Sequence, residues 1–136
     1  MAKESGLAWT TCEVDDSGGV ARDIKNDVTN LTFGTTRGVQ DVTGLDKSAM
    51  ERILLLGDFS ISLNCVFNDA AAPSSFDCFK TVCSATVNRT VTLVVSGQTL
   101  PNEVAFDNVA WSRPQSGELT LTASGNLSDG TAPTWA

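Results

Sequence analysis

The sequence predicts a mainly β chain, an antiparallel β-sandwich or small barrel with one flanking α-helix at about residues 47–57. Three observations carry that expectation. Residues 58–69, DFSISLNCVFND, fall into two columns: Phe59, Ile61, Leu63, Cys65 and Phe67 against Ser60, Ser62, Asn64, Val66 and Asn68. Side chains alternate across a strand, so this is a strand with one oily and one wet face. The same period returns in residues 87–96 and 118–124. A helical signature is convincing once, where Ser48 and Glu51 have the spacing of a capping box and Gly57 follows as a stop.

In chain order, residues 7–14, LAWTTCEV, are rich in Trp, Thr and Val and read as a first strand. Residues 15–27, DDSGGVARDIKND, combine turn formers and charges with almost no period, which predicts an extended charged arm or long loop. Val28, Leu31 and Phe33 mark a weakly alternating strand, and GVQDVT (38–43) a short one leading into the helix. On that helix Met50, Ile53 and Leu54 form one stripe, while Leu55 lies between Glu51 and Arg52 on the wet side. The surplus oil means that the helix is wedged between two layers of its own subunit or covered by a neighbour.

Beyond the 58–69 strand, AAAPSS is a loop and FDCFKTV one helical turn running into a strand. In VNRTVTLVVS, Val87, Val91, Leu93 and Val95 oppose Asn88, Thr90, Thr92 and Ser96. A turn at Gly97 and Pro101 precedes EVAFDNVAWS, whose phase changes between Phe106 and Val109, so Asp107 and Asn108 form a bulge or bend. SRPQSG is a turn, ELTLTAS a strand with Leu119, Leu121 and Ala123 inward, and residues 126–136 a short C-terminal tail. At 136 residues the chain reads as a single domain, 1–136. Burying five side chains of one strand yields on the order of 10 kcal/mol. Ordering its backbone costs about 1 to 2 kcal/mol per residue, so several strands must share one core.

The net charge of −7 is divided as −4 in residues 1–60 and −3 in the rest, and the nine basic residues form no patch. A surface that grips DNA phosphates is thereby excluded. MAKESGLAW has no apolar signal region, and the longest apolar run, ILLL at 53–56, is far short of a membrane span. Folding is therefore expected in a reducing cytoplasm, with Cys12, Cys65, Cys78 and Cys83 unpaired and mostly buried as small hydrophobes. The sequons at Asn30, Asn88 and Asn126 then signify only polar strands and loops.

The chain has no His and no Tyr, so neither a Ser-His-Asp nor a Cys-His arrangement can be built. Lys3, Lys25, Lys47 and Lys80 stand beside no nucleophile motif, and the glycines of DDSGGV lack the Lys-Ser/Thr of a phosphate loop. Asp15, Asp16, Asp23 and Asp27 read as a solvated acidic loop rather than a cation site. The expectation is no enzyme, no cofactor and no metal: a protein whose function is a surface.

The runs DVTGLDKSAMERILLLGDFSISLNCVFND, FDCFKTV and SGQTLPNEVAFDNVAWSRPQSGELTLTASG, with the NLSDGTAPTW tail, resemble the major tail tube proteins of long-tailed, non-contractile (siphophage-type) bacteriophages. The similarity extends from about Asp23 to the C-terminus and lies in the order of elements. It implies a phage tail-tube-like fold, hexameric rings stacked into a hollow tube, and DNA passing through the lumen during genome ejection without specific binding. It also implies location in the virion tail after assembly in the host cytoplasm, with sister copies and other tail proteins at the tube ends as partners, and no membrane. Ser60, Ser62, Asn64, Asn68, Thr90 and Thr92 would then face the lumen or a neighbouring ring. Asp15, Asp16, Arg22, Asp23, Lys25 and Asp27 would form an inter-ring arm, and Glu51, Arg52 and Leu55 a helix at the subunit boundary. Six copies of −7 give −42, and an acidic bore repels phosphate over about 8 to 10 Å. The alternatives are a head-decoration or other virion structural protein, or a solitary β-sandwich that binds a ligand.

Overall fold

A computed structural model describes residues 3–136. After a 3-10 turn at Gly6–Ala8 come β1 (Trp9–Asp15), β2 (Ala21–Asp23), β3 (Val28–Asp41), β4 (Arg52–Val66), α1 (Ser75–Phe79), β5 (Arg89–Val95), β6 (Gln98–Ser112) and β7 (Thr120–Leu127). The strands make one antiparallel sheet in the order β2-β1-β5-β6-β7-β4-β3. Although β1 and β3 stand near opposite edges of that order, the rings of Trp9 and Phe33 are 6.1 Å apart. The sheet therefore curls until its edges meet, enclosing one oily face. Phe59, Leu63, Val91, Leu93, Leu100 and Leu121, drawn from four strands, are fully buried there. The mainly β expectation is met.

Sequence chemistry fixes the joints. Ser96 and Gly97 both have positive φ and Val95 pairs with Gln98, the two-residue turn whose twist suits a hairpin. Between Phe106 and Asn108 the register slips by one residue, so the expected bulge at Asp107 turns Val109 toward the core, while Trp111 further on stays largely exposed. Opposite it, a Cβ at Gly125 would stand 2.7 Å from the Ala105 carbonyl oxygen and from Val104 Cγ1. Only glycine fits there. Pro101 belongs to β6, not to the turn. Thr99 exchanges both backbone bonds with Ala136, so that side of β6 does not face β5, and the absent N–H of Pro101 two residues on costs no ladder bond.

Three expectations are corrected. The helix at 47–57 does not form: residues 42–51 are a loop, and Arg52 to Gly57 open β4, paired with β3 from Asp41↔Arg52 onward. The Glu51 N–H donates to Thr43 Oγ1 at 2.8 Å and its carbonyl accepts from Val42 N at 3.0 Å. Those bonds take the place of the capping box, because a ladder already running through β3 and β4 extends more cheaply than a short helix nucleates. Residues 15–27 are no loose arm either. Asp16 Oδ1 accepts from the N–H groups of Gly18 and Val20, and β2 pairs with β1, closing a tight hairpin with Ile24 buried. FDCFKTV gives α1, capped by Ser74, followed by turns rather than a strand.

Both ends of the barrel are covered. Residues 67–88, with α1, lie over the end where β4 finishes; Arg89 is buried there and donates to the carbonyls of Asp15 and Cys78 and to Thr81 Oγ1. Burial lowers the pKa of its guanidinium. At the other end the C-terminal tail returns to pack Trp135 on Phe33.

Candidate assembly surfaces

The polar column of β4 lies on the outer face of the sheet. Ser60, Ser62 and Asn64 stand opposite Asn126, Ser124 and Thr122 of β7, and Thr122 Oγ1 donates to Asn64 Oδ1 at 2.9 Å. With Asp107 from the bulge, Ser60, Ser62, Ser124 and Asn126 line a shallow groove. Thr90 and Thr92 are on β5, separated from β4 by β6 and β7, and Thr90 Oγ1 donates to Glu103 Oε2 at 2.7 Å. Five of the six predicted polar-face residues thus share one continuous surface of hydroxyls, amides and carboxylates. The basic residue of β5, Arg89, is buried, and β6 and β7 have none.

Asn68 is not part of this face. Its Nδ2 donates to both oxygens of Asp27, at 3.0 and 3.2 Å, and Asp27 Oδ2 also accepts from Ser75 N at 2.8 Å. Asp27 is buried, so both residues of that pair serve to pin the turn before β3 to the loop before α1. Asp16 and Arg22 pair with each other at 3.1 Å, and Lys25 caps the Thr10 carbonyl while lying 3.5 Å from Asp23. Asp15 accepts from Thr90 N. The six predicted arm residues are mainly occupied within their own subunit.

The projecting element lies elsewhere. β3 and β4 run on past the barrel as a hairpin arm, carrying Val39, Val42, Leu45, Met50, Ile53, Leu54, Leu55 and Leu56 exposed. Their exposed area is on the order of 900 Å², about what each partner buries in a stable protein interface. Arg37 Nε donates to the Leu55 carbonyl at 2.8 Å, and Asp41 Oδ1 accepts from Thr43 N and Oγ1, stiffening the arm. The hydrogen bonds from Thr43 hold the Asp41 pKa below its ordinary value. Of Glu51, Arg52 and Leu55, expected on a boundary helix, Glu51 ends the loop at the arm's tip and Arg52 and Leu55 lie on β4. The surplus of oil in 53–56 was the signal of this arm; its period was read as helical.

A second unpartnered feature is the seam. β3 pairs only with β4, and β2 covers only Glu13, Val14 and Asp15 of β1. Between the unpaired edge of β3 and β1, whose Cys12 N–H and carbonyl are bonded to Asp23 and Ile24 and whose Thr10 carbonyl accepts from Lys25, lies a groove of about 380 Å³, floored by Trp9, Val28, Leu31 and Phe33. Unpaired strand edges are ready to hydrogen-bond another chain.

Chemistry is sparse. Cys12, Cys65 and Cys78 are buried thiols whose pKa is pushed to about 12 by burial, and Cys83 is exposed. Among the described residues no group of three or more Cys, Asp or Glu is placed to hold a metal, and no helix is long and apolar enough to cross a membrane.

No protein-family model matches the sequence, and no curated protein does. Solved structures do match. A chain of the virion of a native gene transfer agent particle aligns over 98% of this chain and 99% of its own, with a TM-score of 0.76 at 14% identity. A chain of the tail of the empty gene transfer agent particle, computed with helical refinement in C6 symmetry, aligns over the same shares with a TM-score of 0.77 at 15% identity. The class is thereby defined as a curled antiparallel β domain of the kind found in that tail. The likeness spans the whole chain and is one of fold.

Proposed function

We propose that this chain is a structural subunit of a virion tail, the major tail tube protein, whose copies close into hexameric rings and stack into a hollow tube for DNA passage. The observation that carries the reading is the arm: a rigid hairpin with more exposed apolar surface than a monomer keeps in water, on a fold shared with a chain of a six-fold tail. The unpaired edge of β3 at the seam supports lateral closure of a ring, since a ring satisfies every edge by meeting the next copy. The outer face of β4 to β7 is suited to the bore. It offers DNA hydroxyls, amides and carboxylates, and the exposed cation of these strands, Arg52, stands out on the arm away from Ser60, Ser62 and Asn64, so a moving phosphate backbone meets nothing on this face that holds it. Other tail proteins would cap the tube at its ends.

Electron microscopy and sedimentation of the purified protein test this reading. Rings or tubes of six-fold symmetry are expected at high concentration. A strictly monomeric protein with a ligand-dependent melting shift, or one that binds capsids without elongating, would replace it with one of the alternatives.

A further inference from the structure

β7 stops short of its neighbours. It pairs with β4 from Ser60 to Val66 and with β6 from Val104 to Ser112, so the earlier residues of both strands run on past its end with no strand between them. Residues 128–136 cross that notch. The Ser128 N–H and hydroxyl donate to the Glu103 carbonyl at 2.9 and 3.2 Å, and Ala136 exchanges both backbone bonds with Thr99, at 2.8 and 3.0 Å. Between these anchors Ala132 and Pro133 pass 3.7 and 3.9 Å from where a Cβ on Gly57 would stand. Trp135 packs on Phe33 at 6.1 Å, and Phe33 is the same distance from Trp9 of β1, so the tail leans on the floor of the seam groove.

We propose that this tail is a displaceable strap: it holds the free subunit in a closed form, and its release opens the seam to the next copy. The proposal rests on the self-assembly reading above and adds its regulation. Three observations carry it. What the strap covers is what lateral closure needs, because the Phe33 ring under Trp135 belongs to β3, whose outer edge is unpaired. Its hold is slight. The hydrogen bonds from the tail to the strands lie at its two ends, whereas Asp129 accepts from Thr131 N and Thr134 donates to the Ala132 carbonyl within it, and Trp135 stays 44% exposed. The closed form is also imperfect: between the anchors on β6, at Thr99 and Glu103, Asn102 is buried with no partner for its Nδ2. A buried donor left unmet penalises that form. Only subunits with the strap off join, so their fraction sets the concentration at which assembly begins.

Residues that exchange both bonds across a ladder have Cα atoms about 5.5 Å apart, within reach of a disulfide. Thr99→Cys/Ala136→Cys/Cys83→Ser in the full chain therefore carries a redox lock, with the exposed native thiol removed and Cys12, Cys65 and Cys78 buried. Sedimentation across a dilution series is expected to give the oxidised protein an assembly threshold at least tenfold above that of the same protein in reducing agent. Trp135→Ala, which loosens the strap, should lower the threshold below wild type. Equal thresholds in the oxidised and reduced protein overturn the proposal and leave the tail tube reading intact. A threshold raised by Trp135→Ala does the same, since the tail would then be part of the contact itself. A cysteine pair that never oxidises contradicts the Thr99–Ala136 pairing and the strap with it; protein that stays monomeric under every condition removes both readings.

Discussion

The Leu56 side chain is 89% exposed on the arm, so Leu56→Ser removes apolar surface that the isolated subunit does not use. Exposed substitutions of this kind alter monomer stability by about 0.5 kcal/mol or less. In the tube proposed above the same side chain would be covered, and burying a leucine contributes about 1.5 to 3 kcal/mol. One such contact is lost for each subunit added, which raises the critical concentration for polymerisation by roughly 10- to 150-fold, since about 1.4 kcal/mol is tenfold in an equilibrium constant. Sedimentation across a dilution series reads that threshold, and thermal unfolding of dilute protein reads the monomer. Two results refute the reasoning: a threshold within about twofold of wild type, or a melting temperature lowered by several degrees, which would mean that Leu56 packs within its own chain.

Other predictions concern the subunit itself. Gly125→Ala places a methyl group against the Ala105 carbonyl and Val104, so denaturant unfolding should show a loss of about 1 to 3 kcal/mol, and wild-type stability would contradict the tight approach at the bulge. A maleimide at pH 8 should label Cys83 alone in the native protein and all four thiols in urea, because burial holds the other three near pKa 12; fast native labelling at Cys12, Cys65 or Cys78 would contradict their placement. Asp16 has a lowered pKa, first through the hydrogen bond from Val20 N, so its carboxylate favours the folded state at any pH above its unfolded value of 3.8, and the benefit fades as pH falls through the lower folded value. Asp16→Asn should therefore flatten the fall in stability below about pH 4 while leaving the slope of stability against pH unaltered above pH 6, as measured by urea unfolding at each pH.

Much of the fold was legible in local pattern. The oily column of Phe59, Ile61, Leu63 and Cys65 became the wall of the core, and the phase change at Asp107 became a bulge, since both follow from side chains alternating on a pleated strand. The same short-range logic failed at Ser48 and Glu51. Whether residues 52–57 coil or extend is decided by a partner strand whose pairing starts far away, at Val28 and Cys65, and no local capping pattern contains that partner. Asp27 and Asn68 look solvated one at a time; only their long-range meeting lets Asp27 be buried. The polar face was legible because hydroxyls recur at every second residue. The arm was not, because leucines at 54, 55 and 56 fit either period, and a surface meant for another molecule leaves no mark of its direction.

The most direct test is a three-dimensional reconstruction of the concentrated, purified protein in ice. The expected map is a six-fold tube with the β3–β4 arm of each subunit buried between successive rings and Ser60, Ser62 and Asn64 turned to the bore. Single chains at every concentration, with Leu45 and Leu56 left in water, would contradict it.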